Sequence, residues 1–109
     1  MSQNQVNGWV EYSNTEMLFE YLAGWIGYDF GESDWQAIEV ALPWTDADRE
    51  DGWYEYPLLG DPVLTVRVAD HPGDDIVSFQ ITGEIDEVLE ARIETALSLL
   101  ATLTADGRR

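Results

Sequence analysis

The chain has 109 residues, one domain's worth of sequence, with 22 acidic against 5 basic residues and a formal charge of −17. Hydrophobic residues make up 45%. That is too many for a disordered acidic tail and enough for a core that needs no staple. With no cysteine, a disulfide framework, a thiolate zinc site, an iron–sulfur cluster and a cysteine nucleophile are all excluded.

Residues 1–8 read as a polar, frayed start. Gly8–Tyr12 reads as a short edge strand, or a loop that tucks Trp9 onto the core. Ser13-Asn14-Thr15-Glu16 matches a capping box. Met17, Leu18, Tyr21, Leu22, Trp25 and Ile26 then recur at helical spacing and predict a helix over 14–26, with Gly27 just past its end. Residues 28–34 read as a turn-rich connection. Trp35–Leu42 reads as a strand, with Ile38, Val40 and Leu42 on one face and Trp35, Ala37, Glu39 and Ala41 on the other. Pro43 stops it, and residues 43–52 form an acidic loop.

Three strand-like runs follow. Trp53–Leu58 places Tyr54, Tyr56 and Leu58 on one face. Val63–Ala69 turns Leu64, Val66 and Val68 inward and Thr65 and Arg67 outward. Ile76–Thr82 turns Val77, Phe79 and Ile81 inward and Ser78 and Gln80 outward. Gly60-Asp61 and the segment around Pro72-Gly73 supply the turns. From Glu84 to Leu103, an apolar stripe of Ile85, Val88, Leu89, Ile93, Ala96, Leu97, Leu100 and Leu103 predicts an amphipathic helix. Its first turn is acidic, with Glu84, Asp86 and Glu87. Residues 104–109 read as a loose end.

The expected fold is therefore α+β, one domain over residues 1–109. A small antiparallel sheet of three to four strands carries two helices on one face, in α-β-β-β-α order. The outer face is expected to show Trp35 and Trp53 beside Glu39 and Glu55, with Val63, Thr65, Ile76 and Ser78 on neighbouring strands. A half-apolar face of this kind is usually covered by a loop, a partner or a second copy.

Composition closes most catalytic routes. The basic residues are Arg49, Arg67, Arg92, Arg108 and Arg109, so no lysine is present for a Schiff base or a P-loop. The sole histidine, His71, lies in Asp70-His71-Pro72-Gly73-Asp74 and reads as a solvated turn residue rather than a triad member. Carboxylates lie close in sequence at Asp29, Glu32 and Asp34, and at Asp74 and Asp75. Nothing marks one of them as buried across a cleft, and no nucleophile–base pair can be named. The loop Asp46-Ala47-Asp48-Arg49-Glu50-Asp51-Gly52 begins like a calcium loop. Its glycine comes one residue late, and the twelfth position is Pro57 rather than a bidentate Glu. The sequence thus reads as non-enzymatic, with no metal and no cofactor. A charge of −17 repels phosphates and anionic lipids, so no nucleic-acid or membrane partner is expected. No apolar run reaches the roughly 18–20 residues of a membrane span. Met1–Gln5 shows no secretory n-region, and a cytoplasmic location is expected.

Charge and aromatics point to binding. Glu87, Glu90 and Glu94 form an acidic ridge on the last helix, with only Arg92 near to offset it. Self-repulsion of this size destabilises a small fold. It reflects either a generally acidic proteome adapted to salt, or a surface selected to meet something basic. Trp35, Trp44, Trp53, Tyr54 and Tyr56 cluster on either side of the acidic loop. Aromatic anchors ringed by acids suit an Arg/Lys-rich surface. The expectation is a non-enzymatic acidic protein that engages a basic partner protein through Trp44, Asp46, Asp48, Glu50, Asp51, Trp53 and Glu55. The ridge Glu87, Glu90 and Glu94 is the second surface. In charge and size the chain resembles inhibitors and immunity proteins of nucleases and mimics of nucleic acid. That likeness is one of composition and covers no alignable stretch. Two alternatives stand beside it: a small acidic chaperone or assembly factor that forms a homodimer through the outer sheet face, and a small-ligand binder using the Trp44–Tyr56 aromatics.

Overall fold

Our computed structural model describes residues 4–71, 73 and 75–107, with side chains over 5–71, 73 and 75–100. In chain order, the described residues form β1 (Asn4–Glu11), α1 (Thr15–Trp25), α2 (Glu32–Ala41), β2 (Tyr54–Leu58), β3 (Leu64–Asp70), β4 (Ile76–Gly83) and α3 (Glu87–Gly107). Short 3-10 turns, Tyr12–Asn14 and Leu42–Trp44, precede α1 and follow α2. The strands make one antiparallel sheet in the order β1-β4-β3-β2. The α+β architecture is as the sequence implies.

Alternation builds the sheet. Register pairs Val66 with Ile81, Val68 with Phe79 and Val10 with Val77. One-residue steps would expose these rows, so burial fixes the register. Leu64, Val66, Val68, Val77 and Ile81 are fully buried. They join Leu18, Phe19 and Leu22 of α1, Ile38 of α2, and Ile93 and Leu100 of α3 in one core. Phe19 holds its centre, 5.5 Å from both the Phe30 and Phe79 ring centroids. On the other sheet face, Thr65, Arg67, Ser78, Gln80 and Thr82 stay half-exposed. The Pro72 and Asp74 part of the expected β3–β4 turn lies outside the described residues, as does the Asp74 member of the Asp74–Asp75 pair. No helix among the described residues is long and apolar enough to cross a membrane.

The chain order differs from expectation at both ends of the first half, giving β-α-α-β-β-β-α. Residues 35–41 are helical, not a strand. Ile38 and Leu42 are four apart and both fully buried, and Trp35, three before Ile38, packs against the core. Val40, which alternation placed beside them, is 70% exposed. The apparent period of two was half of a helical period. The Gly31 amide donates to Asp34 Oδ2 at 2.8 Å, filling one of the orphan donors at the helix start. Trp35 and Glu39 therefore lie on α2 and not on the outer sheet face.

The second difference is β1. It begins at Asn4, inside the stretch read as frayed, and pairs along the whole of β4. Its inward row is Val6, Gly8 and Val10. A Cβ at Gly8 would sit 2.7 Å from Leu97 Cδ1, so the glycine lets α3 press onto the strand. Trp9 faces the other way and is 46% exposed. The capping box is absent too. Asn14 holds the cap position of α1 without a side-chain cap bond, and its Nδ2 donates instead to the Leu100 carbonyl at 2.9 Å. That bond ties the start of α1 to α3. The last helix starts at Glu87, because Asp86 Oδ1 accepts the Leu89 amide at 2.8 Å. Glu84 and Asp86 precede it, Val88 is 61% exposed rather than part of the core, and the helix runs through residues 104–107.

Candidate binding site

The acidic loop is held rather than loose. Buried Leu42 starts the 3-10 turn and anchors it, and Pro43 follows within it. Thr45 Oγ1 donates to the Leu42 carbonyl and accepts the Asp70 amide, both at 2.7 Å. The Ala47 amide donates to the Asp70 carbonyl at 2.9 Å. These bonds fasten the loop to the end of β3, where Ala69 is the buried exception on the outer face. Beyond Thr45 the loop closes on itself. Asp46 N donates to Gly52 O at 2.9 Å, Arg49 N to Asp46 O at 3.1 Å and Gly52 N to Arg49 O at 3.0 Å. Asp46 Oδ1 accepts the Asp48 amide at 3.0 Å, an Asx turn. A Cβ on Gly52 would meet the Asp46 carbonyl oxygen at 2.6 Å, so the closure requires glycine.

This frame presents charge and an indole together. Trp44 is 86% exposed. Asp48, Glu50 and Asp51 are exposed, and Asp46 is half-buried. Trp44, Asp46, Arg49 and Asp51 line a shallow depression of about 330 Å³. Arg49 Nε donates to Asp51 Oδ1 at 3.3 Å, and the guanidinium holds the Asp51 carboxyl below its ordinary range. Both partners are exposed, so the pair adds little stability.

The remaining residues named from sequence fall elsewhere. Trp53 turns onto the outer sheet face, where the Arg67 guanidinium lies 5.9 Å from its ring centroid. Glu55, exposed, shares that face and is in register with Arg67. Tyr54 and Tyr56 turn inward and pack on the core. Glu87 and Glu94 are exposed and Glu90 is half-buried. They ride on α3, which packs over β1. The loop is fastened near β3, so ridge and loop do not merge into one surface. His71 Nε2 hydrogen-bonds Ser78 Oγ on the outer sheet face.

Two features escaped the sequence reading. One is a cluster around Asp34. Its Oδ1 accepts the Tyr56 hydroxyl at 2.5 Å and the Tyr28 hydroxyl at 2.8 Å, while Oδ2 takes the Gly31 amide. The Tyr56 hydrogen bond, then the Gly31 amide, pull the Asp34 carboxyl below its ordinary range. Burial, then the Asp34 contact, push the Tyr56 phenol up. Tyr28 is pushed up mainly by its bond to Asp34. Acid and phenols thus move away from neutrality, opposite to what proton transfer at neutral pH requires. The cluster pins α2 to β2. The other is an apolar slot of about 410 Å³ between α1 and α3, walled by Tyr21, Trp25, Ala96 and Leu99, with Arg92 at its lining. The Tyr21 and Trp25 rings stack at 6.0 Å.

No family model matches the sequence, and no curated protein or solved structure matches it.

Proposed function

We propose that the chain works by binding, and that its partner is a basic protein met by the loop at 44–51. One observation carries this reading: an indole 86% exposed stands on a hydrogen-bonded loop beside exposed carboxylates. A loop fixed in advance loses little entropy on binding. Trp is among the residues most enriched at interface hot spots, with Tyr and Arg. The acids steer a basic surface from a distance, and the indole slows its departure. Trp53 and Glu55 contribute at the rim, because they occupy the neighbouring sheet face. Glu87, Glu90 and Glu94 add to the long-range field and not to the contact.

The experiment is capture from native lysate at low and high salt with three baits. The first is the wild type. The second carries Asp46→Asn, Asp48→Asn, Glu50→Gln and Asp51→Asn. The third carries the same charge change away from the loop: Glu20→Gln, Asp29→Asn, Glu32→Gln and Asp61→Asn. A basic protein retained by the first and third baits, absent from the second and released by salt, is the expected result. Trp44→Ala weakens the purified pair by on the order of tenfold or more. Equal retention by the second and third baits would sink the loop assignment.

The slot between α1 and α3 favours a second reading, an apolar client or ligand. Its pocket size suits a small ligand. Leu99→Glu should abolish that binding and leave loop-mediated capture unchanged.

A further inference from the structure

We infer that the outer face of the sheet is a self-association surface, and that its occupant is a second copy of this chain. The charge map is the first argument. One residue in five is acidic, 22 of 109. Yet the outward side chains of the two central strands, Thr65, Arg67, Ala69, Ser78, Gln80 and Thr82, include no carboxylate and one guanidinium. On the neighbouring edge, Gln5, Asn7 and Trp9 continue the neutral area. Acids return at its margins: Glu11 and Glu55 on the edge strands, and Asp61 and Glu84, which line a cleft with Thr65 and Thr82 at one end of the face. A charge-poor centre with aromatics and Arg inside a charged rim is the composition of an interface. Two chains of −17 can meet here without opposing carboxylates.

Self-complementarity is the second argument. Asn7, Gln80 and Arg67 lie in one row across three strands. Amides donate and accept at once, so an amide row can pair with its own two-fold image. Arg67 donates to Gln80 Oε1 at 3.1 Å and makes no ion pair among the described residues. Its remaining donors are available to the Gln80 or Glu55 oxygens of the copy. Trp9 and Trp53 stand at either end of the adjoining row and supply apolar area.

Size sets the strength. Four strands at about 4.8 Å spacing and about eight residues of about 3.3 Å rise give a patch of roughly 500 Å². Stable interfaces bury about 800 Å² per partner. The dimer is therefore weak, with dissociation constants in the micromolar range or above. Salt strengthens it, because screening removes repulsion between like-charged copies. Binding of a basic protein responds to salt with the opposite sign, so the two readings fail separately.

The test is analytical ultracentrifugation of the full chain, from low micromolar to near-millimolar concentration, at low and high salt. Thr65→Glu places a carboxylate on the outward row of β3, two residues from Arg67. Ser98→Glu makes the same charge change on the exposed side of α3. Circular dichroism checks that each variant is folded, and Ser78→Glu replaces Thr65→Glu if that variant is not. The expected result is a concentration-dependent dimer, favoured by salt, weakened at least tenfold by Thr65→Glu and unaltered by Ser98→Glu. A monomer at every concentration in high salt overturns the inference. So does a dimer that Thr65→Glu leaves intact, or one that Leu99→Glu abolishes instead, which would place the contact in the α1–α3 slot.

Discussion

Asp34→Asn removes the charge at the centre of the Tyr28–Asp34–Tyr56 cluster with almost no change of shape. The carboxylate accepts three hydrogen bonds, from Tyr56 at 2.5 Å, Tyr28 at 2.8 Å and the Gly31 amide at 2.8 Å. The amide can keep two acceptor contacts on one oxygen but turns a donor toward the third partner. Hydrogen bonds to a charged group contribute about 1.5–3 kcal/mol when buried. Asp34 is half-exposed, so solvent screening cuts that figure. Loss of one bond and of the favourable charge in the first turn of α2 should cost roughly 1–2 kcal/mol. For a domain of this length that lowers Tm by about 4–8 °C. The pH dependence is the sharper signature. The folded carboxyl titrates below its unfolded value of 3.8. Its contribution is complete above the unfolded value and disappears as pH falls through the folded one. Urea unfolding of both proteins should show a constant difference from pH 8 to about pH 5 that shrinks steadily below pH 4. The subtraction cancels the acid titration of the other carboxylates. A difference that stays constant down to pH 3, or that is absent at pH 7, would falsify the assignment of Asp34 as an ionised link between α2 and β2.

Other substitutions separate the helix from the strand reading of residues 35–42. Ile38→Ala should cost about 2–4 kcal/mol and Val40→Ala under about 0.5 kcal/mol, whereas a strand would make the two alike. Gly8→Val should cost about 1–3 kcal/mol by crowding Leu97, and a double-mutant cycle with Leu97→Ala should recover at least about 1 kcal/mol of it. Additive costs would show that α3 does not press on β1 there. Moderate salt should raise Tm by screening a chain of −17. A Tm that is flat or falling with added salt would show that self-repulsion is not a material cost.

What was legible in the sequence follows from how local each cause is. In β3 and β4 every second residue is buried, from Leu64 to Val68 and from Val77 to Ile81. Alternation alone identifies such strands. In β1 the same alternation is interrupted at Gly8, where α3 fills the place that an apolar side chain would take. The strand is therefore hidden by a contact with residue 97. In α2, Trp35, Ile38 and Leu42 carry the helical period, but Val40 sits between them and imitates a strand. Exposure at 40 depends on what α2 packs against, which no local pattern records. The loop acids were visible as composition. That Trp53 parts company with Trp44 depends on the strand phase of β2. The Asp34 cluster joins residues 22 apart, Asp34 and Tyr56. Its one local trace was an acid three residues after Gly31, which has meaning only once residues 32–41 are read as a helix.

The distribution of charge says more than its total. A uniformly acidic coat would suit a chain whose whole proteome is adapted to salt, and it would leave no neutral face. Here the coat has a gap on the outward side of β3 and β4, and four acids sit on a loop held by its own hydrogen bonds. Neither feature follows from net charge. Lowering pI requires carboxylates anywhere on the surface, and the outward positions Thr65, Ser78, Gln80 and Thr82 are half-exposed yet carry neutral side chains. Fixing the loop at 46–52 with five amide hydrogen bonds serves no purpose for solvation. The two features also predict salt effects of opposite sign, tighter self-association and looser capture of a basic partner. Screening of a chain of −17 gives both signs whatever the origin of the charge. What argues for selection on two faces is their separation: the loop variant and the Thr65→Glu variant each remove one sign and leave the other, whereas a general salt adaptation would spread each effect over the whole surface.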